Sequence, residues 1–415
     1  MTARYSFASL VGHALRGHRN WPRVLRAPEP KRAYDVVIVG GGGHGLATAY
    51  FLAKQHGIRD VAVLERTVIG HGNSGRNTQV IRSDYFHLPS SRFYERSLRL
   101  YEGLSRELNF NVMLSQRGKI NLAHSPHEME HVRRWANSIR LNGVDAEMLT
   151  RAELGRLVPN LNLDARYPIE GGLVQWRGGI ARHDAVVWAF ARAADALGVD
   201  IIQGCEVTGF ELEGRRLASV RTNRGAIATR RACLAVAGHT SVLARKAGFS
   251  LPLTSMALQA MVTEPVKPLI DHVVFSSAIH VYLSQSDRGE VVIGGGADAF
   301  NTYAQRGGLP NLEANAQAAV ELFPVLSRLR VMRQWAGIVD ISPDTSPIMG
   351  STPVEGLYVN AGWGTGGYKA IPAGGETMAW TLANGQPHPL ISAFGLDRFT
   401  SGALVDEGAA AGVAH

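Results

Sequence analysis

A glycine-rich turn between two short apolar runs constrains the fold more than any other feature of this chain. Residues 34–39 (YDVVIV) and 61–65 (VAVLE) are rich in β-branched side chains and lack the alternation of a half-exposed strand. Between them lies GGGGHG at 40–45, followed by small residues that suit a closely packed helix. This order predicts a β-α-β unit in a parallel sheet that is buried on both faces.

The glycine spacing within this unit predicts a dinucleotide site. Gly40 permits a tight turn, Gly42 lets the backbone approach a pyrophosphate, and Gly45 allows the helix to pack closely on the strand. Glu65 ends the second strand, where an acid accepts hydrogen bonds from an adenosine ribose. An acid rather than an arginine disfavours a ribose 2′-phosphate, but nicotinamide and flavin dinucleotides both fit.

Composition narrows the class of protein. The 415 residues are 45% hydrophobic and 19% charged, as in soluble globular proteins, and the length predicts two or three domains. No run of about 18 apolar residues occurs, so we expect no membrane association and a cytoplasmic location. The isolated Cys205 and Cys233 exclude a disulfide scaffold and a thiolate zinc site, and we expect no metal.

Residues 1–33 form a basic N-terminal arm, with seven arginines or lysines against the single acid Glu29. The arm lacks the interleaved aromatic residues and the recognisable module of nucleic-acid binders, so we expect no nucleic acid. It also lacks an apolar core long enough for a secretory signal. We expect an arm that packs on a partner subunit or stays mobile.

The rest of the chain predicts one cofactor-binding fold assembled from separated pieces, with a second layer inserted. Predicted helices cover 90–108, 184–197 and 374–383, and predicted strands cover 200–202, 206–212, 232–237 and 356–361. Residues 251–335 are strand-rich and more amphipathic. A second glycine cluster at 356–369 (GLYVNAGWGTGGYK) precedes the last helix, and nicotinamide domains do not need so distant a return to the cofactor.

The two glycine clusters together resemble the FAD-dependent amine oxidases of the D-amino acid oxidase and sarcosine oxidase superfamily. Five segments narrow the resemblance to the β-subunit family of heterotetrameric sarcosine oxidases: PEPKRAYDVVIVGGGGHGLATAYFLAK, RNTQVIRSDY, GIARHDAVVWAFAR, GVDIIQGCEVTGF and NAGWGTGGYK. The resemblance begins at about residue 28 and leaves the basic arm without an explanation.

The resemblance implies an α/β fold, in which an FAD-binding doubly wound parallel sheet is interleaved with a mixed-sheet substrate domain. The FAD-binding domain is then expected in three stretches, 34–100, 166–250 and 336–400. The substrate domain is expected in two stretches, 101–165 and 251–335. The basic arm (1–33) and a C-terminal tail (401–415) lie outside both domains.

The resemblance also implies two flavins and three partner chains. FAD is expected to be noncovalent, and FMN is expected to be attached through its 8α-methyl group to His183. The partners are the α, γ and δ subunits of a heterotetramer. The implied reaction is oxidative demethylation of sarcosine to glycine, with hydride passing to FAD and electrons passing on to FMN and oxygen. Hydrogen peroxide is formed, together with formaldehyde or 5,10-methylenetetrahydrofolate.

Two alternatives remain open. One is a single-flavin oxidase or dehydrogenase of another small amino acid such as glycine, proline or an opine, which would have no use for flavin on His183. The other is a flavoprotein with a structural role, which scaffolds partners or acts on nucleic acid through the basic arm.

Site residues follow from the same resemblance. Arg82 matches the position that binds the substrate carboxylate, and Lys369 matches the lysine against the flavin ring. His280 and Tyr282 are candidates for the pocket lining. Cofactor contacts are expected from both glycine clusters, the loop after the second strand and a later strand: Gly40, Gly42, Gly43, His44, Gly45, Glu65, Asn73, Arg76, Asn77, Thr78, His183, Val207, Gly364, Gly366, Gly367 and Lys369. His239 is a further candidate.

Two positions depart from the monomeric relatives. Those relatives attach FAD to a cysteine, where this chain has Gly337. They also use a histidine on a strand comparable with 291–296, which contains none here. The covalent FAD linkage of the monomeric relatives therefore cannot form.

Overall fold

Two large β-sheets with different coverings organise the fold. The computed structural model describes residues 6–19 and 23–406. The helices within these ranges are α1 (Phe7–Leu15), α2 (Gly43–Gln55), α3 (Leu88–Glu107), α4 (Pro126–Leu141), α5 (Arg151–Leu157), α6 (His183–Ala196), α7 (Thr240–Lys246), α8 (Leu309–Leu322), α9 (Ile371–Asn384) and α10 (Arg398–Ser401).

The strands within the same ranges are β1 (Val36–Val39), β2 (Val61–Glu65), β3 (Val80–Ile81), β4 (Lys119–Ala123), β5 (Glu147–Thr150), β6 (Gly171–Gln175), β7 (Gly179–Ile180), β8 (Asp200–Gln203), β9 (Val207–Glu213), β10 (Arg216–Thr222), β11 (Gly225–Ala228), β12 (Ala232–Leu234), β13 (Thr254–Pro265), β14 (Val273–Ser276), β15 (Val281–Gln285), β16 (Glu290–Ala297), β17 (Val331–Ile341), β18 (Ile348–Ser351) and β19 (Leu357–Ala361).

The first sheet is the parallel one that the sequence predicted. Its order is β18-β19-β12-β1-β2-β8, and only β18 runs antiparallel to its neighbour. Alternate residues of β1 face different layers: Val36 and Ile38 pack with the helix-side core, whereas Val37 packs with β9–β11. Burial on both faces explains why this strand is uniformly apolar. The predicted β-α-β unit is confirmed.

The two faces of this sheet carry different layers. Helices α2, α6 and α9 cover one face, and α2 contacts both of the others. The antiparallel three-stranded sheet β11-β10-β9 covers the other face.

The second sheet has eight strands in the order β17-β13-β16-β15-β14-β4-β6-β5. It is a mixed sheet, because β14 and β4 are parallel whereas all other neighbouring strands of this sheet are antiparallel. The α/β class with a parallel and a mixed sheet is thus confirmed. Helix α8 interrupts the stretch that the sequence indicated as strand-rich, and its residues Ala319 and Leu322 are buried against this sheet.

Two strands of the eight-stranded sheet come from stretches that are expected to belong to the FAD-binding domain. β6 lies within 166–250 and pairs with β4. The second half of β17 lies beyond residue 335 and pairs with β13. The expected domain boundaries stay a prediction.

The basic arm is anchored at its C-terminal end. Arg26 forms ion pairs with Asp195 at 3.0 Å and Asp200 at 3.3 Å, and Lys31 contacts Asp60 at 2.8 Å. Helix α1, nearer the start of the arm, contains no buried residue. Among the described residues, no helix combines the length and apolar character needed to cross a membrane.

Candidate active site

A cleft of about 430 Å³ runs between the two sheets. Its walls include Val39 and Leu64, at the carboxyl ends of β1 and β2, and Leu258 and Tyr282 from the eight-stranded sheet. The carboxyl edge of a parallel sheet is the usual ligand-binding edge of an open α/β fold.

The first glycine cluster forms a tight turn in which neighbouring backbone atoms lie where side chains would otherwise be. Gly40 has φ +111°, and a Cβ there would lie 2.4 Å from the carbonyl oxygen of Ala235. A Cβ on Gly45 would lie 2.0 Å from the carbonyl oxygen of Gly40, so the helix and strand are in direct contact. Gly42 caps α2 without a side-chain hydrogen bond, and the first turn of the helix contains no acid. The positive end of the helix therefore faces the cleft and suits a pyrophosphate.

Glu65 lies beside this turn at the cleft wall. Its carboxylate accepts hydrogen bonds from the backbone N–H of Gly41 at 3.0 Å and of Thr67 at 2.9 Å. These two bonds fix the carboxylate while leaving lone pairs for ribose hydroxyl groups. Val207, at the start of β9, and His239 line the same end of the cleft.

The loop at 73–78 lines the middle of the cleft and is held by its own polar side chains. Asn73 donates from Nδ2 to the carbonyl oxygen of Ile338, and Asn77 donates to that of Ser74 at 2.6 Å. Arg76 donates to the carbonyl oxygen of Gly72 at 3.1 Å. Thr78 donates to the hydroxyl oxygen of Tyr282 at 3.0 Å. The loop is thus tied to β15 and β17 of the second sheet.

The second glycine cluster contacts the first. His44 lies 2.8 Å from the carbonyl oxygen of Gly367, and its ring stacks on that of Trp363 with centroids 4.5 Å apart. Burial lowers the pKa of His44 to about 4, so the ring is neutral near pH 7. Gly364 has φ +48° and donates its N–H to the carbonyl oxygen of Asp340 at 2.9 Å. Burial raises the pKa of the Asp340 carboxyl to about 6.

Three of the expected cofactor contacts do not line this cleft: Gly45, Gly366 and His183. Gly45 acts instead in helix–strand packing. A Cβ on Gly366 would lie 2.1 Å from the hydroxyl oxygen of Tyr94, so Gly366 provides packing space behind the cleft.

The other end of the cleft contains buried charges. The Arg82 side chain is buried and donates to Oδ1 of Asp84 at 2.7 Å, and Lys119 donates to Oδ2 of the same carboxylate at 2.8 Å. Arg82 also lies over the ring of Tyr85, 4.3 Å from its centroid. Although burial opposes ionisation, Lys119 and Arg82 together hold the pKa of Asp84 well below its usual range.

Lys369 is a third buried cation-forming side chain near this cluster. It donates from Nζ to the carbonyl oxygen of Thr365 at 3.0 Å. Burial, and then the nearby charge of Arg82, lower the pKa of Lys369 well below its usual value. A lysine in this environment is able to exist as the neutral amine and accept a proton.

Tyr282 and His280 line the cleft on the side of the eight-stranded sheet, and Tyr282 contacts the loop at 73–78. The ring of Tyr282 stacks on Phe275 with centroids 4.9 Å apart, and burial raises the pKa of its hydroxyl. His280 has φ +50°, in the turn before β15, and lines the cleft with an exposed side chain. Tyr282 is therefore held in place on the wall, while His280 stands at its rim.

His183 lies at the first position of α6, outside the cleft. Its ring is half-buried, and its buried Nδ1 has no hydrogen-bond partner among the described residues. Burial lowers the pKa of His183, which favours the neutral ring. A neutral ring nitrogen carries the lone pair that a covalent attachment to carbon requires.

Sequence reasoning missed Asp84, Lys119 and Asp340. Asp84 stands within RNTQVIRSDY, two residues after Arg82, and an acid so near a proposed anion-binding arginine was a usable signal. Lys119 comes from β4, far along the chain, and no local pattern connects it with the cluster.

The residues present fit FAD. The cleft combines an open helix N-terminus, bare backbone at Gly40 and Gly42, and a ribose-side carboxylate at Glu65. Gly337 lies under the loop, where a Cβ would be 3.2 Å from Oδ1 of Asn73. That position offers no sulfur for a covalent link to a flavin.

Comparison with known proteins identifies the family. The profile described as FAD dependent oxidoreductase matches residues 35–380. The chain is 52% identical to "Sarcosine oxidase subunit beta" of Rhodobacter capsulatus over 99% of this chain and 100% of that protein. It is 53% identical to the protein of the same name from Rhizobium meliloti, over 97% of each chain.

A solved structure supports the fold. The L-proline dehydrogenase of P. horikoshii superposes with a TM-score of 0.85 at 27% identity, covering 91% of this chain and 100% of that one. With the profile and the end-to-end relatives, this shows that the chain belongs to the FAD-dependent oxidoreductases, among the β subunits of sarcosine oxidase.

Proposed function

We propose that this chain binds FAD noncovalently in the cleft and oxidises sarcosine to glycine. The observation that carries the proposal is the pairing of a dinucleotide turn at one end of the cleft with buried Arg82 and Lys369 at the other. A small amino acid needs both a cation for its carboxylate and an acceptor for its amine proton. The names of relatives at 52–53% identity supply sarcosine as the amino acid.

Arg82 and Lys369 have different tasks in this proposal. The planar guanidinium of Arg82 binds the carboxylate through parallel N–H donors. Nζ of neutral Lys369 accepts the proton of the secondary ammonium, because only the free amine supports cleavage of the adjacent C–H bond. Bound FAD supplies the two-electron acceptor for the N-methyl group. Tyr282 and the aromatic wall keep water from the reacting methyl group.

Covalent FMN on His183 is part of the same proposal. Its support is the half-buried ring outside the FAD cleft, with a buried Nδ1 that has no hydrogen-bond partner among the described residues. The proposal also includes onward passage of electrons to FMN and oxygen, with peroxide and formaldehyde or 5,10-methylenetetrahydrofolate as products. The test is acid precipitation of the co-expressed enzyme and mass mapping of its peptides. FMN on the His183 peptide supports attachment there, and unmodified His183 contradicts it.

We also propose the α, γ and δ subunits as partners, in a cytoplasmic heterotetramer. The chain's relatives are named as a subunit, and α1 exposes apolar side chains on an arm rich in arginine. Phe7, Leu10 and Leu15 are 82%, 61% and 84% exposed. Because the relatives are named as a subunit, another subunit is the occupant that we assign to α1.

The arm proposal is tested by co-purification with the other subunits. Replacement of Phe7, Leu10 and Leu15 by serine should reduce recovery of the partner chains, because their apolar contact area is lost. The control is Ser9→Ala on the same helix. Equal recovery from both variants would exclude α1 as a subunit contact.

A single-flavin oxidase of another amino acid is the second candidate. The specific observation in its favour is the likeness to L-proline dehydrogenase at 27% identity. Turnover of sarcosine, glycine and L-proline by the co-expressed enzyme separates the two candidates. The proposal expects sarcosine to have the highest kcat/KM and glycine to appear as product. A higher kcat/KM with L-proline would overturn it.

A further inference from the structure

Lys119 is the most deeply buried cation of the cleft and has no task in the reaction described above. It stands at the start of β4, its side chain is 1% exposed, and it lines the cleft. Its Nζ donates to Oδ2 of Asp84 at 2.8 Å and to Oδ1 of Asn121, and lies 4.5 Å from the ring centroid of Phe275. The ring centroid of Trp135 lies 5.4 Å from the same nitrogen, so two acceptor oxygens and two aromatic rings surround the ammonium group.

Opposing effects set the charge of Lys119. Burial and, to a smaller extent, the charge of Arg82 lower its pKa, the adjacent Asp84 carboxylate raises it, and the net pKa is about 7. Because two acceptor oxygens and two aromatic rings surround Nζ, the contacts favour the protonated amine. A neutral amine would instead direct its lone pair at one of these electron-rich groups.

Asp84 connects Lys119 to Arg82. Its Oδ1 accepts from Arg82 and its Oδ2 accepts from Lys119, and Asn121 adds a third donor at 3.0 Å. The three buried charges are two cations and one anion, and their sum is +1. Without Lys119, the charge of Arg82 would be cancelled by Asp84, and the sum would be zero.

We propose that Lys119 is a positioning and specificity-determining residue that neutralises Asp84, so that Arg82 keeps an uncompensated charge for the substrate carboxylate. Asp84 then holds the Arg82 guanidinium in place while its own negative charge is balanced by Lys119. The cleft end thereby selects anionic substrates over uncharged ones of the same shape. This inference rests on the proposed function, in which Arg82 binds the carboxylate.

A purely structural ion pair would have different consequences. Removing one partner of a buried pair destabilises a protein, whatever ligand it binds. Such a role would lower stability and turnover alike for anionic and neutral substrates. Charge balance instead predicts that anion binding fails selectively and returns when the opposing charge is also removed.

The test uses the co-expressed, FAD-loaded enzyme with acetate as the probe. Acetate carries the carboxylate without an amine, so its binding is measured from flavin absorbance without turnover. In Lys119→Met we expect the acetate Kd to rise about tenfold or more, since close charge pairs at desolvated sites couple strongly. Lys119→Arg should stay within about threefold of wild type, because it keeps the charge. Lys54→Met, on the exposed side of α2, is the control.

The decisive variant is the double replacement Asp84→Asn with Lys119→Met. It removes one positive and one negative charge and restores the sum to +1, which Arg82 alone then carries. We expect its acetate Kd to return to within about threefold of wild type. A double variant that binds acetate no better than Lys119→Met would overturn the inference. If Lys119→Met alone fails to fold, the double variant is compared with wild type, and an acetate Kd about tenfold or more above that of wild type would overturn the inference.

A second readout compares sarcosine with N-methylglycinamide, in which a carboxamide replaces the carboxylate and removes its negative charge. Lys119→Met should raise KM for sarcosine about tenfold and change KM for the amide less than about twofold. An equal loss for both compounds would indicate a structural role and overturn the inference. If the wild-type enzyme oxidises neither compound, the proposed function fails, whereas the acetate titration still tests the role of Lys119.

Discussion

The two ends of the cleft are lined by different chemical groups. At the dinucleotide end, backbone atoms make the surface, and Gly40 and Gly45 leave no room for a Cβ beside neighbouring carbonyl oxygens. At the substrate end, buried ionised side chains make the surface, with Asp84 between Arg82 and Lys119. In the function that we propose, the first end recognises a ligand by shape and helix dipole, and the second recognises it by charge.

This difference predicts different kinds of failure. Added atoms should damage the dinucleotide end, because backbone there has no space to yield. Altered charge should damage the substrate end while leaving FAD in place. Variants at each end of the cleft distinguish these two kinds of failure.

Gly40→Ala should abolish FAD retention. The added methyl group would lie 2.4 Å from the carbonyl oxygen of Ala235, at φ +111°. Both the contact and the backbone conformation oppose a side chain. Purified protein should lack the flavin absorbance band. The matched control is Gly72→Ala, also in the cleft wall, where no atom lies within 4 Å of the added Cβ. A yellow Gly40→Ala protein with normal FAD content would contradict this description of the turn.

Lys369→Met should leave FAD bound and reduce kcat for sarcosine by about 10²–10⁴-fold, the usual contribution of a positioned acid or base. The side chain is buried and its pKa is lowered, so methionine replaces it without leaving an unpaired charge. Rapid-mixing measurement of flavin bleaching by sarcosine reports the step directly. An unchanged bleaching rate would remove Lys369 from the mechanism.

Arg82→Ala should act mainly on substrate binding. We expect KM for sarcosine to rise by about 10- to 100-fold, since a hydrogen bond to a charged group contributes about 1.5–3 kcal/mol. Arg82→Lys should recover part of this loss, because it keeps the charge but not the planar fork. Equal values of KM in wild type and Arg82→Ala would show that Arg82 does not bind the substrate carboxylate.

The smallest expected effect is a pH dependence of the free energy of unfolding, which arises from His44 between the two glycine clusters. Burial lowers the pKa of His44 from 6.5 to about 4, so the folded protein binds fewer protons than the unfolded chain in that interval. Its stabilising contribution is therefore complete above pH 6.5 and is lost as the pH falls toward 4, with a slope below about 1.4 kcal/mol per pH unit.

His44→Gln removes this dependence, and thermal unfolding at several pH values measures it. The Tm difference between wild type and variant should shrink on acidification from pH 6.5 to 4. Asp340, whose carboxyl pKa is raised to about 6, is present in both proteins and cancels in the difference. A constant difference across this interval would mean that His44 is not buried as a neutral ring.

The difference between the two ends of the cleft also explains which site residues could be predicted from the sequence. Gly40, Gly42 and Glu65 lie within one β-α-β unit, so their spacing in the chain reflects their spacing in space. The expectation that 34–39 forms a strand buried on both faces is confirmed by the two cores that β1 contacts.

The charge cluster could not be predicted in the same way. Arg82 follows β3, Lys119 begins β4 and Lys369 precedes α9, so only the packing of the two sheets brings them together. Helix α8 was also missed, because it lies between β16 and β17 in a stretch that otherwise forms strands. Local pattern was informative where the site is local, and uninformative where tertiary packing assembles it.

The most direct measurement is a crystal structure of the co-expressed, FAD-loaded enzyme with acetate bound. We predict the pyrophosphate at the N-terminus of α2 and the acetate carboxylate within hydrogen-bond distance of Arg82, at the opposite end of the cleft. Acetate bound away from Arg82, or FAD bound outside the cleft, would contradict the division of the cleft into a backbone-built cofactor end and a charge-built substrate end.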